Sequence, residues 1–210
     1  KNKIDVIMGF GKIVAKGKIE VSDKDGKNQT VEAKHIIIAT GARSRELPTM
    51  KIDGKKIIGY REAMVLPEIP KSMVIVGSGA IGVEFAYFYN SMGTKVTIVE
   101  FLPRIVPVED EDISKELEKS YKKNGITIMT SSEVTAVDTS GNGVKASVKS
   151  ATGETVLEAD VLLSAVGVTA NIEGIGLETL GIKIDKGRVM VDKYGQTNVP
   201  GIYSIGDCSP

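Results

Sequence analysis

The chain is poor in the side chains that build metal and redox centres. Its 210 residues include one cysteine, Cys208, and one histidine, His35. A single thiol excludes an intrachain disulfide and any multi-cysteine metal site, and a single imidazole excludes a histidine-rich cluster. Tryptophan is absent and phenylalanine occurs four times against 23 glycines, which points to tight turns and close backbone contacts more than to an aromatic core. Net charge is missing too, since 27 basic side chains balance 27 acidic ones. Neither nucleic acid nor an anionic membrane surface gains from that balance, so a small molecule is the expected partner. No apolar run reaches the roughly 18 residues of a membrane span and no signal-peptide pattern opens the chain, so a cytoplasmic location is expected. What is present, 41% apolar and 26% charged residues, suits a folded globular chain. The opening KNKIDVIM and the ending GDCSP read as cut from something longer.

Organisation follows from periodicity and breakers. Residues 4–8, 12–15, 18–22, 30–33 and 35–39 read as short strands, with Asp25-Gly26 marking a hairpin turn. HIIIA at 35–39 is almost wholly apolar, as a strand buried on both faces requires. Pro48, Pro67 and Pro70 make residues 43–72 the densest breaker region before residue 100 and the best linker, interrupted by a short helix at 60–66. Beyond it the pattern runs strand 73–76, helix 80–92, strand 95–99, helix 111–124 and strand 126–129, a βαβαβ unit. In the first helix Ile81, Phe85, Phe88 and Met92 form one apolar stripe that faces a sheet, and Gly93 ends it. In the second, Ile113, Leu117 and Tyr121 share a face, acidic residues open the first turn, Lys122 and Lys123 close the last, and Gly125 caps it. Segments 133–138, 144–149 and 154–159 read as a three-stranded antiparallel meander, and 160–167 as a buried closing strand.

Gly77, Gly79 and Gly82 stand as G-x-G-x-x-G directly after strand 73–76 and at the start of helix 80–92. At this glycine content about 0.3 chance matches are expected, so the spacing alone is weak. Context makes it specific. Near misses at Gly9/Gly11, Gly141/Gly143 and Gly174/Gly176 lack the third glycine, whereas this one has a strand before, a helix after, and Glu100 at the end of the next strand. Gly77 permits the tight turn, Gly79 lets backbone approach a pyrophosphate, and Gly82 lets helix and strand pack closely, while the helix start receives the diphosphate. Glu100 accepts hydrogen bonds from both ribose hydroxyls of an adenosine and its charge opposes a 2′-phosphate, so NAD is expected over NADP. The competing reading is a tight βα turn that holds no ligand.

Residues 74–100 (VIVGSGAIGVEFAYFYNSMGTKVTIVE), preceded by 36–48 (IIIATGARSRELP) and followed by 201–208 (GIYSIGDC), resemble the flavoprotein disulfide reductase family, in particular its members that oxidise dihydrolipoamide. The resemblance spans essentially the whole chain in family order. It implies an α/β fold: a Rossmann-like NAD-binding domain with a parallel sheet and an antiparallel β-meander, flanked by incomplete parts of an FAD-binding domain. The implied boundaries are 1–67 for one FAD-binding portion, 68–189 for the NAD-binding domain and 190–210 for the return of the FAD-binding domain. FAD contacts are implied at Gly11, Thr40, Gly41, Ala42 and Asp207. NAD contacts are implied at Gly77, Ser78, Gly79, Ala80, Ile81, Gly82, Val83, Glu84, Glu100, Val134 and Gly167, with Glu84 near the nicotinamide. AVGVTAN at 165–171 departs from the family's G-R-x-P-N form, with Val168 in place of arginine, so no arginine-dependent contact is implied there.

The activity implied is oxidation of protein-bound dihydrolipoamide through a disulfide and FAD with reduction of NAD. Lipoyl domains of 2-oxo acid dehydrogenase complexes and a second subunit are the implied partners. The family's cysteine pair, its histidine-glutamate pair, its dimerisation domain and its N-terminal FAD motif fall outside residues 1–210, so no catalytic residue is expected in the chain, which alone is inactive, holds FAD weakly and exposes apolar surface at Ile36 to Ile38. A mercuric reductase or transhydrogenase of the same family, and a nucleotide-binding module without a redox role, are the alternatives. Taken without the resemblance, Asp207 reads equally as a turn aspartate, Thr40-Gly41 as a plain strand exit, Cys208 as a small apolar residue and His35 as structural.

Overall fold

The computed structural model describes residues 3–210. In chain order, β1 (Phe10–Ala15), β2 (Lys18–Ser22) and β3 (Asn28–Glu32) are followed by β4 (Ile36–Ile38), β5 (Ala42–Ser44), β6 (Ile57–Ile58) and the short helix α1 (Tyr60–Ala63). Then come β7 (Ser72–Val76), α2 (Ala80–Ser91), β8 (Lys95–Val99), α3 (Glu111–Lys123) and β9 (Thr127–Met129). The chain continues through β10 (Glu133–Asp138), β11 (Val144–Ser150), β12 (Gly153–Ala159), β13 (Val161–Ser164), β14 (Val168–Ala170), β15 (Ile184–Asp185), β16 (Arg188–Val189) and β17 (Ile202–Ser204).

The chain divides into two compact units, one of Ser44–Val168 and one of Lys1–Arg43 with Thr169–Pro210. These boundaries differ from 67/68 and 189/190, and packing explains the shift. β6 pairs with β13, which draws residues 44–67 into the unit of the parallel sheet. Ala170, Ile172, Ile175, Leu177, Ile182 and Val189 enter the core of the other unit together with Ile13 and Ile36. The prolines mark breaks in regular structure, not a boundary between units.

The unit of Ser44–Val168 is built on a five-stranded sheet in the order β6-β13-β7-β8-β9, with every pairing parallel. A central parallel strand is covered on both faces, so its apolar residues run without interruption and alternate in direction. In β7, Met73 and Ile75 pack with Val96, Ile98 and Leu163 among the helix residues. Val74 and Val76 pack with Val99, Leu162 and the meander residues Val134, Val144, Ala146 and Val148. Full burial of each such side chain is worth about 1.5–3 kcal/mol. The meander is the expected antiparallel β10-β11-β12 sheet, with a bulge between Val134 and Ala136. The closing strand lies inside the sheet, between β6 and β7, which accounts for its apolar run.

Both long helices form where their caps place them, and part of each expected stripe reaches the core, Ile81 and Phe85 in α2 and Leu117 and Tyr121 in α3, but the packed faces are rotated from those expected. The packed face of α2 is Gly82, Val83, Ala86 and Tyr89, while Phe88 and Met92 stand 52% and 50% exposed. Gly82 and Ala86 are small enough to let the helix backbone settle on the sheet, which rotates the large side chains to its flank, where Phe88 meets the edge of Tyr89 at 5.1 Å. Helix α3 begins at Asp110, whose carboxylate accepts from the Asp112 amide at 2.9 Å. It buries Ser114 and Tyr121 with Leu117 beside them and leaves Ile113 exposed. Ser114 Oγ donates to the Ile105 carbonyl at 2.7 Å and Tyr121 Oη to the Val83 carbonyl at 2.8 Å, so polar tips as well as apolar bodies choose this face.

In the other unit, β1-β2-β3 is an antiparallel meander with its turn at Asp25-Gly26, and β4 pairs in parallel with β17. Residues 4–8 are not a strand. Ile4, Val6 and Met8 are exposed and their backbone has no ladder partner, so a short apolar run alone does not make a strand there. The 60–66 helix stops at Ala63, with Met64 and Val65 exposed. Ile36 and Ile38 are buried but Ile37 is 61% exposed, so β4 is covered on one face only. His35 lies just before β4 with its ring 6.1 Å from that of Tyr203.

Candidate dinucleotide site

The site is built at the carboxyl end of β7. Gly77 turns the chain with φ of +98°, a left-handed value that favours glycine, and a β-carbon there would stand 2.5 Å from the Ala165 carbonyl oxygen. Gly79 is the N-cap of α2 in extended conformation and offers no side-chain acceptor to the first-turn N–H groups, which are left for a ligand. A β-carbon on Gly79 would meet nothing within 4 Å, so this face of the turn is open. At Gly82 the reverse holds, because a β-carbon would collide with the Gly77 carbonyl.

Glu100 follows β8 and is 7% exposed. Its Oε2 accepts from the Ser78 amide at 2.7 Å and from Ser78 Oγ at 2.6 Å, and its Oε1 accepts from the Leu102 amide at 2.8 Å. A carboxylate has roughly four acceptor sites. The protein's own donors therefore leave room for about one ribose hydroxyl, where the sequence suggested two.

These groups face a cleft of about 820 Å³, within the size range of small-molecule sites. Of the residues singled out in the sequence, Gly77, Ser78, Gly79, Ala80, Ile81, Glu100, Val134 and Gly167 line it. Gly82 and Val83 are buried in the helix–sheet contact, and Glu84 is exposed on α2 outside the cleft wall. Of the remaining wall, Val76, Val99, Ala165 and Val166 lie in segments read as strands, and the rest was not legible in the sequence. Arg45, Leu47, Pro48 and Thr49 come from the stretch read as a linker, and Phe101, Leu102, Ser132 and Glu133 from loops after β8 and β9. The only available signal was the pair of apolar residues, Phe101 and Leu102, directly after Glu100. The Arg45 amide donates to the Gly167 carbonyl at 3.0 Å, which fixes one wall to the loop after β13. An open glycine turn, free helix-start N–H groups and a buried acidic residue fit a dinucleotide with its diphosphate over α2.

In the other unit, the loops after β4 and β17 leave the same end of a parallel pair. Asn171 donates to the carbonyls of Thr40 at 3.1 Å and Gly41 at 2.9 Å, and Ala42 is buried. Asp207 is exposed on a single turn of 3-10 helix beside the buried Cys208. Burial pushes the Cys208 thiol up, but hydrogen bonds from Ser204, Thr40 and Gly41 outweigh it and hold the thiol below its ordinary range. Thr40, Gly41, Ala42 and Asp207 are thus gathered at one strand end. Gly11 is elsewhere, exposed within β1 opposite Val21.

Strand, glycine turn and helix, an acidic residue closing the next strand and a cleft over the turn define an α/β dinucleotide-binding protein. The chain belongs to the pyridine nucleotide-disulphide oxidoreductase family, whose model matches residues 1–210. It is 48% identical to the dihydrolipoyl dehydrogenase of Rhizobium etli over 99% of its own length and 46% of that protein's. It is 42% identical to the mitochondrial dihydrolipoyl dehydrogenase of Pisum sativum, over 100% of this chain and 42% of the relative. Leghemoglobin reductase of Glycine max is 43% identical, over 100% and 41%. Among solved structures, LpdA from Mycobacterium tuberculosis superposes with a TM-score of 0.85 at 31% identity, over 97% of this chain and 45% of that one. The HOCl-induced flavoprotein disulfide reductase RclA from Escherichia coli superposes at 0.83 with 28% identity, over 98% and 46%. The chain spans less than half the length of each of these relatives. Among the described residues no helix is long and apolar enough to cross a membrane.

Proposed function

We propose that this chain is the NAD-binding portion of a dihydrolipoyl dehydrogenase, which oxidises protein-bound dihydrolipoamide through a disulfide and FAD and reduces NAD. The observation that carries the reading is the glycine turn at Gly77 to Gly82, open at Gly79, above a cleft lined by Glu100. Identities of 42–48% to proteins of that name support it. When bound, NAD supplies a hydride acceptor and FAD a two-electron carrier. The residues of this chain bind and orient. The first-turn amides of α2 hold the diphosphate, Gly79 keeps its approach clear, Glu100 accepts from the adenosine ribose, and Leu102 and Val134 offer apolar wall. The loops at Thr40 to Ala42 and Gly206 to Asp207 take the FAD side, with the Asp207 carboxylate free to accept from a chain of hydroxyls. Glu84 is proposed to act at the nicotinamide, and Gly11 to belong to the FAD-binding portion.

The partners proposed are lipoyl domains of 2-oxo acid dehydrogenase complexes and a second subunit, and the compartment is the cytoplasm, beside relatives named as mitochondrial. A parallel titration with NAD, NADP and FAD tests the reading. NAD should bind at least about tenfold tighter than NADP, a gap of about 1.4 kcal/mol, with little uptake of FAD. Equal affinities, or none, would remove the dinucleotide assignment.

A further inference from the structure

Two of the three donors that reach the Glu100 carboxylate come from the glycine turn itself, both from Ser78, and the third is the Leu102 amide. Resting on the dinucleotide reading above, we propose that Ser78 is a positioning residue that sets nucleotide specificity, its hydroxyl and amide holding Oε2 of Glu100 so that Oε1 is the acceptor for the ribose 2′-hydroxyl.

Ser78 is completely buried, and its side chain is spent on Glu100 through the 2.6 Å bond from Oγ. Its backbone is pinned on both sides, the amide donating to Glu100 at 2.7 Å and the carbonyl accepting from the Val106 amide at 2.9 Å. Val106 takes φ of +39°, an unfavourable conformation for a β-branched residue that persists only where its surroundings over-determine it. The loop after β8 is therefore held back onto Ser78, and the carboxylate sits in a rigid frame. Arg104, the nearest cation in sequence, donates instead to the carbonyls of Pro107 at 3.1 Å and Glu109 at 3.4 Å. The donors to Glu100 are neutral, so no cation is hydrogen-bonded to the carboxylate that a 2′-phosphate would meet in the cleft, although Arg45 lines the same cleft. Oε2 already takes two bonds and Oε1 one, which makes Oε1 the oxygen with capacity to spare.

The test is calorimetric titration of the chain and of Ser78→Ala with NAD, 2′-deoxy-NAD and NADP. Ser78→Ala should weaken NAD about three- to tenfold, the range of a single ordinary hydrogen bond, since the effect is exerted through Glu100, leave 2′-deoxy-NAD within about twofold, and narrow the preference for NAD over NADP. In a Glu100→Gln background the same change should have no further effect on NAD. Ser78→Cys, which is slightly larger and weakens the hydrogen bond, should show the same selective loss, and thermal melts establish that each variant is folded. Equal weakening of NAD and 2′-deoxy-NAD would assign Ser78 a structural role only and overturn the proposal. If the parent chain prefers NAD and Ser78→Ala behaves like it, the Ser78 role falls while the dinucleotide site stands. If the parent binds no dinucleotide, both fall.

Discussion

The α-carbon of Gly82, on the first turn of α2, faces the carbonyl oxygen of Gly77 so closely that no β-carbon fits between them. Three residues earlier, the β position of Gly79 points into open space. The two glycines of one motif therefore do different work, one closing the helix onto the turn and the other keeping a path to it.

That difference separates stability from binding. Gly82→Ala should cost about 1–3 kcal/mol by overpacking and lower the melting temperature and NAD affinity together. Gly79→Ala should cost at most about 1 kcal/mol as a poorer N-cap, yet weaken NAD clearly, because its methyl group stands where the diphosphate approaches. Melting curves with and without NAD distinguish the two; a Gly79→Ala variant with parental NAD affinity would place the diphosphate elsewhere.

Arg43 meets Glu173 through Nη2 at 2.8 Å and Nη1 at 3.1 Å and donates also to Asn171 Oδ1 at 3.0 Å. The Arg43 hydrogen bond holds the Glu173 carboxyl down to about 2, from an ordinary 4.5. A carboxylate lowered on folding stabilises fully above its ordinary value and loses that contribution as pH falls toward the folded one. Glu173→Gln should thus be less stable than the parent at neutral pH, with the gap closing between pH 4.5 and about 2. Both side chains are solvent-exposed, so the gap should be small. Urea midpoints across that range measure it, and a gap unchanged at low pH would remove the ion pair as its cause.

Lys186 and Gly187 join β15 to β16 with φ of +47° and +75°. Two left-handed residues in a two-residue hairpin are the mark of a type I′ turn, where asparagine is favoured first and glycine second. Lys186→Asn should raise stability by about 0.5 kcal/mol, seen as a higher denaturant midpoint at unchanged slope. No gain would mean that the Lys186 side chain compensates for its backbone.

What the sequence made legible has local causes. The βαβαβ unit follows from unbroken apolar runs, from Asp110 and the charges of α3, and from Gly93 and Gly125 just past the helix ends. The glycine turn and Glu100 are local too, and they mark the centre of the cleft. The rest depends on distant partners. Residues 4–8 are mostly apolar but find no neighbouring strand. The face of α2 is decided by how near Gly82 and Ala86 allow the sheet to come, which outweighs the stripe of large side chains. Arg45 to Thr49 carry no periodicity, and they become a cleft wall only because β6 is drawn beside β13.

The middle position of β13 sets an order of events for folding. β7, α2, β8 and α3 close over short connections, but β13 enters between β6 and β7 only after the meander has been traversed. Its entry is fastened by Asp160, whose carboxylate accepts from the amides of Lys71 at 2.7 Å and Ser72 at 3.0 Å, across 89 and 88 residues. Closing so long a loop is slow and is rewarded late. Asp160→Ala should therefore leave the refolding rate nearly unchanged and accelerate unfolding, as contacts absent from the transition state do, a pattern that the two arms of a chevron resolve. The lifetime of the folded sheet is then governed from its interior strand, so the cleft beside it should outlast fraying of either edge.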